Sequence, residues 1–139
     1  MALSGANSRK VALAFVAAPA AAVVTLAFLV FVFWPGNGAD SPPHAALGFA
    51  IYGAIIIFPI SIVGGVPLYL LFRFKSWLSR AAVFLGSVVL SLAYPIFVAL
   101  ENPLRPGLVT APEYLVSVIC GLVAAWVFCR IVGLSSKGN

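Results

Sequence analysis

Long apolar runs bounded by isolated cations constrain this chain more than any other feature. Val11 to Trp34, Ala46 to Phe72, Leu78 to Leu100 and Ala111 to Val132 carry no Asp, Glu, Lys, Arg or His near their middles. Each run is long enough, as a helix, to cross a hydrocarbon core of about 30 Å. In lipid a backbone must satisfy its own hydrogen bonds, and a helix does so within one segment. The runs therefore predict an all-α membrane protein: a four-transmembrane-helix bundle of two helical hairpins, forming a single domain over 1–139. Composition points the same way. The chain is 63% hydrophobic and 8% charged, whereas a soluble domain carries about 25% charged residues.

The first run follows Arg9 and Lys10 and holds an A-x-A pattern within Ala17 to Ala22, as a signal peptide would. It continues unbroken to Trp34, well past the roughly 7–15 residues of a signal core, so it is read as a retained span. Turn-forming residues fill Pro35 to Pro43 and Glu101 to Pro112. Thr110, Pro112 and Glu113 have the spacing of a capping box, which places the start of the fourth span near Ala111.

Charge sets the expected orientation. Arg9, Lys10, Arg73, Lys75, Arg80, Arg130 and Lys137 fall on one side of a four-span chain, while Arg105, Asp40, Glu101 and Glu113 fall on the other. Lys and Arg in short loops mark the cytoplasmic side. Both termini are thus expected in the cytoplasm of a bacterial-type inner membrane. The same cations form a collar at headgroup level. Aromatic residues suggest two interfacial belts, with Trp34, Tyr52, Tyr94 and Tyr114 at the outer ends and Tyr69, Trp77 and Trp126 at the inner ends.

Three features inside the spans are candidates for function. In the second span Pro59 and Pro67 each remove a backbone N–H, freeing the carbonyls of Ile55 and Val63, and Gly64 and Gly65 loosen the turn between them. A kink is expected there. It serves either for shape alone or, with Ser61, as part of a solute pathway of the kind broken transporter helices provide. Ser87 and Ser91 of the third span form a hydroxyl stripe, which can line such a path or bond back to its own helix. Ala14, Ala18 and Ala22 mark a small-residue face of the first span, and Ser117, Gly121 and Ala125 one of the fourth. Such faces let helix backbones approach closely, within this bundle or against another membrane protein or a second copy.

Other chemistries find little support. The cations stand singly at span ends, not on one polar face, so no nucleic acid is expected as a partner. Cys120 and Cys129 lie on opposite sides of one helix, about 13 Å apart along its axis, too far for a disulfide. His44 and the three acids have no ligand spacing. No metal, no cofactor and no catalytic residue is expected. The leading reading is a small non-catalytic membrane protein acting by helix–helix contact with a membrane partner, such as an accessory subunit or an immunity-type protein. The alternative is an oligomeric transporter or channel for ions or small solutes built on the Pro/Gly-interrupted second span.

Overall fold

The computed structural model describes residues 8–33, 42–75, 79–101 and 111–134. Helix α1 is Ser8–Phe33, α2 is Pro42–Ile60, α3 is Val66–Phe74, α4 is Arg80–Glu101 and α5 is Ala111–Val132, with a π-helical turn at Ser61–Gly65 joining α2 to α3. The joined elements make one span, so four helices are long and apolar enough to cross a membrane. The chain is a multi-pass, all-α membrane protein. Its second span, Pro43–Phe74, has 32 residues and reaches about 48 Å, well beyond the thickness of the hydrocarbon core. It must tilt or project.

Packing runs in the spatial order α2, α1, α5, α4. Helix α1 lies along both α2 and α5, and α4 lies along α5. The fourth helix meets the second span mainly through the π turn and α3, whereas its contact with α2 itself is marginal at most. Of the four spans α5 is the most buried, and Cys120 and Cys129, on opposite sides of it, are both buried and both free.

Small residues fill the crowded inner seams. Ala14, Ala18 and Ala22 are buried on α1, and Gly121 and Ala125 on α5, with Ser117 half-buried. The outward positions are large: Val24, Phe28 and Phe31 on α1, Leu115 and Trp126 on α5. Lipid is as apolar as these side chains, so the helices gain little by hiding them and associate through close packing instead.

Near one end of the bundle three aromatic rings meet edge to face. Phe15 and Phe128 have centroids 5.2 Å apart, Phe15 and Tyr69 5.7 Å, Tyr69 and Phe128 5.9 Å. Ala14, Ala18, Val11, Val83, Ile131 and Val132 pack around them. This cluster joins the start of α1, the start of α4 and the end of α5. The antiparallel arrangement of the sequence reading follows directly.

Tyr69 departs from that reading, which placed it in an interfacial belt. It is 8% exposed. The π turn supplies the reason. On a regular α-helix Tyr69 lies about 160° around from buried Gly53, and one extra residue in a turn brings that offset down to about 60°. Pro67 gives the turn its cause, because a proline ring collides with the carbonyl four residues earlier and widening the turn relieves the collision.

Helix ends deviate by a few residues. The second span starts at Pro42, not Ala46, and α4 at Arg80, not Leu78. Ser79 caps α4, its Oγ accepting from the Ala82 N–H at 3.2 Å. Helix α5 starts at Ala111 as expected; Thr110, the proposed cap, lies outside the described residues. Gly133 ends α5 in the left-handed region, φ 77°. The N–H groups of Gly133 and Leu134 both return to the Cys129 carbonyl at 3.0 Å.

Candidate functional site

Two concavities stand out. The first is a cavity of about 90 Å³ beside the π turn. It is lined by Phe15, Ser61, Gly65, Tyr69, Ser87 and Phe128 among others, drawn from α1, α3, α4 and α5 as well as the turn itself. Ser61 and Ser87, from different spans, therefore share one space. With liquid water occupying about 30 Å³ per molecule, the space suits a few waters or a small neutral solute. Apart from Ser61, Ser87 and Tyr69, its lining side chains are apolar.

Ser91 belongs elsewhere. Its Oγ donates to the Val88 carbonyl at 2.9 Å, the local back-bonding open to a serine in a helix. It faces Gly121, where an added Cβ would sit 2.6 Å from the Ser91 Oγ and 3.0 Å from the Ser87 carbonyl oxygen. Gly121 thus sets the distance between α4 and α5. Gly64 plays a softer version of that role: its Cβ would meet the Leu90 Cδ2 at 2.5 Å, the movable end of a side chain.

The prolines of the second span face outward. Pro59 and Pro67 are exposed, and so are Ile55 and Val63 four residues before each of them. This stripe turns to lipid, whereas Ser61 and Gly65 turn to the cavity. The pieces grouped together from sequence are therefore divided between two faces. Pro59→Ala is expected to change stability by no more than about 1 kcal/mol, as for substitutions outside a packed interior. Unfolding in mixed micelles checks this, and a loss beyond about 3 kcal/mol would mean that the ring is held by a neighbour.

The second concavity, about 320 Å³, lies between the start of α4 and the end of α5 and is lined by Arg80, Phe84, Trp126, Cys129 and Arg130. Arg80 Nε donates to the Leu134 carbonyl at 2.5 Å. The Arg130 guanidinium lies 5.4 Å from the centroid of the Trp126 ring, close enough for a cation–π contact. Sequence reading placed both arginines in a collar without pairing them. The missed signal was Gly133 just past the last helical residue: it stops α5 and turns the Leu134 carbonyl toward Arg80.

Of the other collar residues, Lys137 lies outside the described residues, and Arg9, Lys10, Arg73 and Lys75 are exposed near helix ends. They belong to the same end of the bundle as Arg80 and Arg130, because the aromatic cluster ties those helix ends together. Glu101 and Glu113 lie at the far ends of α4 and α5. Among the described residues, no three His, Cys, Asp or Glu side chains are grouped to hold a metal ion. Comparison with protein-family models, curated proteins and solved structures gives no match for this chain.

Proposed function

We propose that this chain is a small non-catalytic membrane protein that works by helix–helix contact with another membrane protein. One observation carries the reading: α2 and α4 are the outer members of the packing order and barely meet. Over the half of the bundle away from the aromatic cluster, α1 and α5 are therefore covered on one side only by lipid or by a further helix. Large apolar side chains are exposed on α2 and α4, among them Tyr52 and Phe97. By contrast, the small-residue faces of α1 and α5 are already occupied within the bundle. An accessory-subunit or immunity-type role fits such an opening, which takes a helix from a larger partner.

Photo-crosslinking residues at Tyr52 and Phe97, with Val16 on α1 as the control, test this in native membranes. A discrete protein adduct from the first two and none from the control is expected. Lipid adducts alone at all three positions would remove the reading.

A second reading, transport of a small neutral solute or an ion, draws on the cavity where Ser61 and Ser87 meet beside the π turn. The absence of ionisable side chains from the middles of the spans weighs against ion or proton passage. Flux into liposomes containing the purified chain separates the two readings. The helix-contact reading expects no flux above protein-free liposomes.

Location enters the proposal through charge. The basic end of the bundle faces the cytoplasm, with both termini there, in a bacterial-type inner membrane. Reporter fusions after Asn139 are expected to read cytoplasmic and fusions near Arg105 external. The opposite pattern would invert the protein.

A further inference from the structure

We propose that the recess between the start of α4 and the end of α5 is a binding site for a phosphate-type anion, presented either by a phospholipid headgroup or as free phosphate. The inference stands apart from the helix-contact reading, because it concerns the other end of the bundle. The recess measures about 320 Å³ and is lined by both Arg80 and Arg130, with no Asp or Glu among the described residues that line it. Two like charges in one small space repel unless an anion lies between them. Arginine's planar fork suits phosphate oxygens, which it takes with two parallel N–H donors.

Both arginines are held in place by contacts that, among the described residues, leave donors spare. Arg80 spends its Nε–H on the Leu134 carbonyl, and its two Nη groups keep their own N–H donors. Arg130 is steadied by the face of Trp126, a contact that uses charge without consuming a hydrogen bond. Position adds to the case. The far ends of α4 and α5 hold Glu101 and Glu113, about 30 Å along the helices and too distant to serve.

The rest of the lining suits a molecule at the membrane surface. Phe84 and the ring of Trp126 give the recess an apolar wall beside its two cations. A headgroup phosphate can sit between the guanidinium groups while its glycerol and upper acyl carbons lie against Phe84. Tryptophan's ring is at home at that depth. Arg9, Lys10, Arg73 and Lys75 do not line this recess, and they make the internal control.

The experiment is lipid retention by the full chain in nanodiscs made of equal parts phosphatidylglycerol and phosphatidylcholine, read by native mass spectrometry. The wild type is expected to keep one phosphatidylglycerol. Arg130→Gln and the double variant Arg80→Gln/Arg130→Gln are expected to lower the retained fraction about tenfold, the scale of losing charge-assisted bonds to an anion. Arg9→Gln/Lys10→Gln, which removes the same charge as the double variant, should change it by less than about twofold. Arg80 also holds the end of α5, so Arg130→Gln alone keeps the test valid if the double variant fails to fold. Arg130→Lys should recover only part of the loss, because an ammonium lacks the fork.

A second arm identifies the source of the anion. Inorganic phosphate is titrated into protein in a phosphatidylcholine-only disc, with Trp34→Phe/Trp77→Phe leaving Trp126 as the reporter. A saturable fluorescence change lost in Arg130→Gln supports free phosphate. Retained phosphatidylglycerol with no response to phosphate supports the headgroup. Equal lipid loss in the two double variants, or neither retention nor response, overturns the site.

Discussion

Gly121→Leu is expected to separate α4 from α5 and to leave the chain unable to complete its bundle. The reason lies in what the new side chain would strike. A Cβ at this position already falls 3.0 Å from a backbone atom, the Ser87 carbonyl oxygen, and 2.6 Å from the Ser91 Oγ. Side chains yield by changing rotamer, but a helix backbone yields only by moving the whole helix. Overpacking by a few methylenes costs typically about 1–3 kcal/mol, and a leucine against backbone belongs at or beyond the top of that range. The alanine variants give a finer comparison. Replacing glycine by alanine within a helix gains about 1 kcal/mol of propensity. At Gly64 the obstacle is the Leu90 Cδ2, which can rotate aside, so Gly64→Ala should come out near neutral. At Gly121 the same gain is exceeded by the backbone collision, and Gly121→Ala should be destabilised by about 1–2 kcal/mol. Reversible unfolding in mixed micelles, with α4–α5 proximity followed by a pair of spin labels, measures both. Equal stability of Gly64→Ala and Gly121→Ala would show that α4 and α5 can move apart freely.

The four spans and their antiparallel order were legible because lipid allows few alternatives. A run without charges must be helical in a membrane, and short loops force neighbouring helices to alternate. Spacing also marked one helix face of small residues. Ala14, Ala18 and Ala22 recur at the four-residue spacing of one helix face, and the structure buries all three. What stayed hidden depends on rotation about a helix axis. Pro67 announces a disturbance, but whether it bends the helix or widens one turn decides which way Tyr69 points. An amphipathic ring near the end of a span has no sequence mark that separates an interface from a core. The recess was hidden for a different reason: Arg80 and Arg130 stand fifty positions apart, and only the α4–α5 hairpin brings them to one place. Likewise Ser61 and Ser87 came under separate headings in the sequence, as part of a kink and part of a stripe, yet they line a single cavity.

Phe128→Ala is expected to be the most damaging truncation in the aromatic cluster, at about 3–4 kcal/mol, and the argument differs from that for a soluble core. There, most of the loss is the transfer of a ring from a dry interior to water. Here the unfolded helices remain in lipid, which solvates a phenyl ring as well as the bundle does, so the transfer part largely vanishes. Two contributions remain. One is the void: at about 24 cal/mol per Å³, an unfilled space on the order of 80–100 Å³ costs about 2 kcal/mol. The other is the loss of two edge-to-face contacts, with Phe15 at 5.2 Å and Tyr69 at 5.9 Å, each worth roughly 0.5–1.5 kcal/mol. Collapse does not recover the void, because Phe128 already lines the cavity beside the π turn and its removal only enlarges that space. Phe128→Leu keeps much of the volume and loses both ring contacts, so it should cost about half as much. Leu115→Ala, at an outward position that is 62% exposed, should cost less than about 0.5 kcal/mol, since lipid fills the vacated place. Unfolding of the three variants in mixed micelles provides the check. If Leu115→Ala were as costly as Phe128→Ala, solvent transfer and not packing would be holding this bundle together.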